Sequence, residues 1–306
     1  VNGQERISEI LLNVFLREGI PASVIPAVEQ YYSAIVARLI ELRRPHPPQP
    51  LVLGICGSQG SGKSTMALAL REILRAVHGL AVATFSLDDL YRSGQDRAHL
   101  AESVHPLLRT RGVPGTHDVA RGIAVIDGLT SAGPDQTTSI PAFDKATDEP
   151  VPEQSWQAFH GRADIVIFEG WCVGARPQAE AALVEPINTL ERESDPQGLW
   201  RHYVNAQLAG SYQALFGKID VLLMIRAPGF EQVFAWRRLQ ERKLADKIRS
   251  APVPDAPPRI MDDAELARFI MHYERLTRHI LAEMPGRADI VLDIDDSQRM
   301  VALRVR

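Results

Sequence analysis

Two cysteines in 306 residues leave no disulfide framework, and a reducing cytoplasm is the expected setting. Cys56 ends one apolar run and Cys172 follows another, positions that suit buried packing better than reactive thiols. No apolar run approaches the ~20 residues that span a membrane, so no membrane partner is expected. The nearest thing to a leader, residues 10–16, lacks a basic stretch before it and a small-residue cleavage site after it. The opening residue, Val1, reads as a trimmed start. Excess positive charge is missing too. The formal net charge is −4, which gives no field to recruit nucleic acid. Between Arg92 and Ala142 there is no Phe, Tyr or Trp, so that stretch has no ring on which a nucleobase would stack. What remains is an ordinary globular composition, 45% hydrophobic and 24% charged, ample for a buried core in one or two domains.

Against that plain background one string stands out: Gly57-Ser58-Gln59-Gly60-Ser61-Gly62-Lys63-Ser64, followed by Thr65. It matches the phosphate-loop pattern G-x-x-x-x-G-K-[ST] at every fixed position. The apolar residues 51–56 before it read as a buried strand. Met66, Ala67, Leu70, Ile73, Leu74 and Val77 after it fall at helical spacing. Glycines let successive N–H groups curl inward around an anion, and the helix aims its free N–H groups and positive dipole end at the same point. Lys63 is expected to reach the terminal phosphates and the Ser64 hydroxyl to ligate Mg²⁺, so the string predicts binding of a nucleoside triphosphate.

The rest of the chain supports an α/β fold. Residues 4–18 and 23–43 each carry an apolar helical face, and the Gly19-Ile20-Pro21 break between them predicts a helical hairpin. A proline spacer at 45–50 leads into the first strand. Further strands are expected at 81–86, 164–168, 220–225 and 288–294, with a last one near 300–305. One helix is expected through Trp200, Tyr203, Val204, Leu208, Tyr212 and Leu215, and another begins at the Asp262/Glu265 capping box. Apolar strands alternating with helices mean a parallel sheet covered on both faces, here of about five strands in a three-layer sandwich. The organisation expected is a hairpin and spacer over 1–50 and a nucleotide-binding domain over 51–306. Within that domain, 90–160 forms an insertion over the site and 230–250 a lid.

Ligands of such sheets bind beyond the carboxyl ends of the strands. Four candidates stand there: the glycine loop, Asp88/Asp89, Glu169 and Arg226. Either aspartate is placed to take a proton from an acceptor hydroxyl, and either is also able to cap the segment that follows. Glu169 occupies the place of a metal-orienting acid. Arg237, Arg238 and Arg242 lie on one helical stretch, readable as a closing lid or as a solvated charged face. The ring-poor insertion holds cations, which favours a small anionic acceptor. An Asn-Lys-x-Asp guanine motif is missing, since Gly217-Lys218-Ile219-Asp220 lacks the Asn and precedes its strand.

Four strings then carry a resemblance. Ser86-Leu87-Asp88-Asp89-Leu90-Tyr91, Arg111-Gly112-Val113-Pro114-Gly115-Thr116-His117-Asp118, Phe143-Asp144-Lys145 and Phe168-Glu169-Gly170-Trp171-Cys172-Val173-Gly174 resemble those of D-glycerate 3-kinases. That family groups with phosphoribulokinase, uridine kinase and pantothenate kinase. The resemblance implies a P-loop kinase fold, ATP with Mg²⁺ as donor (Ser64 and Glu169 holding the metal), and D-glycerate as acceptor. It implies Asp88 as the base, with Lys63, Glu169 and Asp89 beside it. Arg111, Thr116, His117, Asp118 and Lys145 would contact the acceptor, and Arg237, Arg238 and Arg242 would form the lid.

Overall fold

The computed structural model describes residues 3–43, 49–239 and 261–306. Strands β1 (Leu51–Gly57), β2 (Val82–Ser86), β7 (Ile165–Gly170), β8 (Val221–Arg226), β9 (Ile290–Ile294) and β10 (Met300–Val305) form one sheet in the order β10-β9-β8-β1-β7-β2. Five of them run parallel, as expected, and β10 adds an antiparallel edge to β9. Short strands β3 (Thr137–Ile140) with β6 (Gln157–His160), and β4 (Phe143–Asp144) with β5 (Glu149–Pro150), make two separate ribbons.

β1 is buried along its whole length because it is central and covered on both faces. Strand side chains alternate between faces. Leu53 and Ile55 therefore enter one core, with α1 (Gly3–Arg17), α2 (Ile25–Leu42) and α3 (Lys63–His78). Val52 and Cys56 enter the other, with α5 (Val119–Ser131), α7 (Leu199–Ala209), α8 (Ser211–Phe216) and α10 (Asp263–Glu283). The remaining helices are α4 (Gly94–Ser103), α6 (Thr189–Ser194) and α9, described from 230 to 239.

The amino-terminal hairpin is part of this sandwich. Ile7, Leu11, Val14 and Phe15 of α1 share one core with Met66, Leu70 and Ile73 of α3. The apolar face read from the sequence is thus spent on the phosphate-loop helix. Both cysteines are buried and free, and burial pushes both thiols up, Cys56 to about 12.

Two expectations change. The single helix drawn through Trp200 and Leu215 is two, α7 and α8, because Gly210 turns the chain with φ −95° and ψ −111°. The 90–160 segment is not all insertion, since α5 lays Val125, Ile126 and Leu129 into the second core. Among the described residues no helix is long and apolar enough to cross a membrane.

Because Leu11 is fully buried, its truncation removes a methyl cluster from the interface of hairpin and α3. Leu11→Ala is expected to lower unfolding free energy by about 2–5 kcal/mol. Urea unfolding measures this, and substrate KM values should stay unchanged.

Candidate active site

The sheet order sets β1, β7 and β2 side by side, so their carboxyl ends line one edge. The phosphate loop leaves β1 and closes on α3, which begins at Lys63. Gly62 takes φ +88°, the left-handed conformation that only glycine adopts without cost. A Cβ at Gly57 would lie 2.5 Å from Ser61 Oγ, so any other residue there would push that hydroxyl aside. Glu169 ends β7 and is 7% exposed. Its Oε1 accepts a hydrogen bond from Ser64 Oγ at 2.8 Å, while Oε2 is buried with no partner among the described residues. A buried carboxylate oxygen left bare is costly unless something positive completes it. Ser58 Oγ and Ser61 Oγ are likewise buried and unpartnered. These orphan groups around a glycine cradle fit a nucleotide phosphate and its cation. Among the described residues no group of three His, Cys, Asp or Glu could hold a metal alone. A magnesium ion here would take most of its oxygens from phosphate and water, as is usual for that ion.

The facing wall starts at the end of β2. Ser86 and Asp89 cap each other across the short 3₁₀ turn Leu87–Leu90, and Asp89 Oδ2 accepts from the Ser86 N–H at 2.9 Å. Asp88 is released from that duty and carries two other donors. Tyr91 Oη donates to its Oδ1 at 2.8 Å and Lys145 Nζ to its Oδ2 at 2.6 Å. Burial raises the Asp88 pKa, yet Lys145 and Lys63, with the Lys145 and Tyr91 hydrogen bonds, overcome it and hold the group at about 2. Burial drives Asp89 the other way, to about 6, with Asp88 and Glu169 adding repulsion. The two adjacent acids are thus distinct in kind: Asp88 stays charged while Asp89 is a cap.

The string 111–118 packs against this turn. Gly112 takes φ +132°, and a Cβ there would run into the Tyr273 hydroxyl. Trp171 Nε1 donates to the Gly112 carbonyl at 2.9 Å and Tyr273 Oη to that of Arg111 at 3.1 Å. Arg111 itself pairs with Asp148 and lies over the rings of Tyr91 and Phe143 at 5.9 and 5.5 Å. His117 stacks on Tyr91 at 4.6 Å between ring centroids, and its Nδ1 lies 2.6 Å from Tyr212 Oη. Its Nε2 is buried without a partner among the described residues.

The structure therefore joins Ser64 to Glu169, ties Asp88 to Tyr91 and Lys145 with the Lys63 charge acting on it, and sets His117 and Arg111 against the same Tyr91 ring. It gives other tasks to two expected acceptor contacts. Thr116 is fully buried, its hydroxyl donating to Val113 O and accepting from Gly112 N–H, and so it braces its own loop. Asp118 caps α5 by accepting from the Arg121 N–H at 2.9 Å. Arg226 pairs with Asp293 at 2.8 Å. Arg237 and Arg238 lie on α9. Arg242 lies outside the described residues. Sequence reasoning missed Asp148, which binds both Arg97 and Arg111. Asp148 sits at φ +60°, and an Asp in the polar turn between two extended pieces was the available signal.

A phosphate loop, a strand-end acid and a second carboxylate facing the loop define an ATP-dependent small-molecule kinase of the P-loop class. No protein-family profile matches the chain. The uncharacterised kinase mug58 of Schizosaccharomyces pombe is 35% identical over 240 residues, 76% of this chain and 81% of that one. The chloroplastic D-glycerate 3-kinase of Arabidopsis thaliana is 25% identical over 267 residues, 82% of this chain and 54% of the plant enzyme. The solved D-glycerate 3-kinase of Cryptococcus neoformans superposes with a TM-score of 0.72 at 25% identity, covering 91% of this chain and 98% of the fungal one. The chain belongs to the D-glycerate 3-kinase family.

Burial also fixes how the fold answers to acid. Loss of hydration pushes His117 down to about 3 and His272 to about 4. An unfolded chain protonates both near pH 6.5. Their folded values lie below that, so the stability they contribute is whole above about pH 6.5 and is lost as pH falls toward 4. Asp89, raised by burial to about 6, acts in the opposite sense, but two imidazoles outweigh one acid. The melting temperature is expected to drop between pH 7.5 and pH 5, and His272→Gln should flatten that slope in a thermal-shift series.

Proposed function

We propose that the protein transfers the γ-phosphoryl group of ATP to a hydroxyl of D-glycerate, giving a phosphoglycerate. The observation that carries the reading is Asp88, a charged carboxylate that feels Lys63 on one side and Lys145 on the other. The names of the plant and Cryptococcus relatives supply the acceptor. In this reading Asp88 positions the acceptor hydroxyl and takes its proton, within hydrogen-bond reach of the transferring group. Lys145 holds the acceptor carboxylate, with Arg111 and His117 set against the neighbouring Tyr91 ring. Lys63 and the loop N–H groups steady the phosphates. Ser64 and Glu169 would hold Mg²⁺, which when bound neutralises phosphate charge. The α9 arginines, with Arg242 further along the chain, form the lid. Residues 51–306 carry the chemistry and the hairpin of 1–50 supports them from the opposite side of α3.

ADP release from ATP, measured against D-glycerate, pantothenate, uridine and ribulose 5-phosphate, tests this. D-glycerate should give the highest kcat/KM; preference for another acceptor would replace it. Lys63→Ala should abolish turnover with all four. Asp88→Asn should lower kcat by ~10²–10⁴-fold with ATP binding nearly intact, the usual loss for a general base. Full activity in Asp88→Asn would remove that residue from the mechanism.

A further inference from the structure

Each oxygen of Asp88 already holds one donor in the protein alone. Oδ1 accepts from Tyr91 at 2.8 Å and Oδ2 from Lys145 at 2.6 Å. Each oxygen has a second lone pair and could also receive an acceptor hydroxyl, but an oxygen tied to a strong donor is a poor proton acceptor, so one donor has to move before Asp88 acts as a base. The two donors are held very differently. Tyr91 is 6% exposed, stacked on His117 and met edge-on by Phe143 at 5.3 Å between ring centroids. The Lys145 side chain is 60% exposed. It projects from the turn between β4 and β5, which pair over only two residues each. Lys145 is the donor that can move.

We infer that Lys145 is a substrate-operated latch on Asp88: the acceptor's own carboxylate draws the ammonium away and bares the oxygen that receives the hydroxyl proton. This rests on the reading of Asp88 as the base. An ammonium leaves one carboxylate for another at little net cost, because each offers a charge-assisted bond of the same kind. A neutral acceptor offers no such exchange, so Lys145 stays where it is. With the latch open, the hydroxyl proton passes to Asp88 Oδ2 as the hydroxyl oxygen bonds to the γ-phosphorus. The bond from that phosphorus to the β–γ bridging oxygen breaks, and ADP leaves with its electron pair. Selection for an anionic acceptor then falls on kcat as well as on KM, whereas a simple binding cation acts on KM alone.

The test compares D-glycerate with methyl D-glycerate, which has the same hydroxyls and no charge. In the unmodified protein kcat for the ester is expected to be at least about tenfold lower, within the range of general-base losses. In Lys145→Met, which cannot pair with Asp88, KM for D-glycerate should rise while the two kcat values converge to within about twofold. Lys145→Arg should restore the gap. Equal kcat for acid and ester in the unmodified protein would overturn the latch without any variant being made. So would an unchanged gap in Lys145→Met. If Asp88→Asn kept its turnover, the failure would lie with the base assignment instead, which separates the two ideas.

Discussion

A carboxylate at the end of a buried strand has to be matched by something, and among the described residues Glu169 is matched on one side only, by the Ser64 hydroxyl. That bond joins β7 to the first turn of α3. The other oxygen is buried and bare. On the proposed reading, a charge arriving with the nucleotide would complete it and relieve a desolvation cost that the protein alone bears, linking nucleotide affinity and local stability at one atom.

The acceptor side is built on the opposite rule. There the charges are paired before any ligand comes, Lys145 with Asp88 and Arg111 with Asp148. The turn that carries Asp88 is stitched to the loop 111–118 by the bridge between Tyr91 and His117, so the walls of the cup are fixed while their cations remain exchangeable. Pre-paired cations lower the cost of an empty site, and on the proposed reading they favour a ligand that brings an anion of its own.

The nucleotide half was legible in the sequence because its signals are local. The glycine string, the apolar run before it and the helical spacing after it all lie within 28 residues of chain, 51–78. The five parallel strands were equally plain, being apolar on both faces. The acceptor half was not legible from the residues taken one by one, since its pairings join distant positions: Lys145 meets Asp88 across 57 residues and Arg111 meets Asp148 across 37. The break at Gly210 escaped notice because the apolar spacing of α7 and α8 stays nearly in phase across it. The hairpin's apolar faces were read correctly, but its partner, α3, depends on the layer arrangement and not on spacing.

The antiparallel edge has a bearing on how the protein is made. Gln298, in the turn between β9 and β10, donates its side-chain amide to the carbonyl of Gly60 in the phosphate loop, 238 residues earlier. The loop therefore leaves the ribosome 238 residues ahead of the turn that braces it. A nascent chain holds its glycine string without that brace until β9 and β10 have been made. The nucleotide cradle gains this support only when the β9–β10 hairpin folds back onto the sheet, so a defect in that distant hairpin would be felt at the phosphate loop.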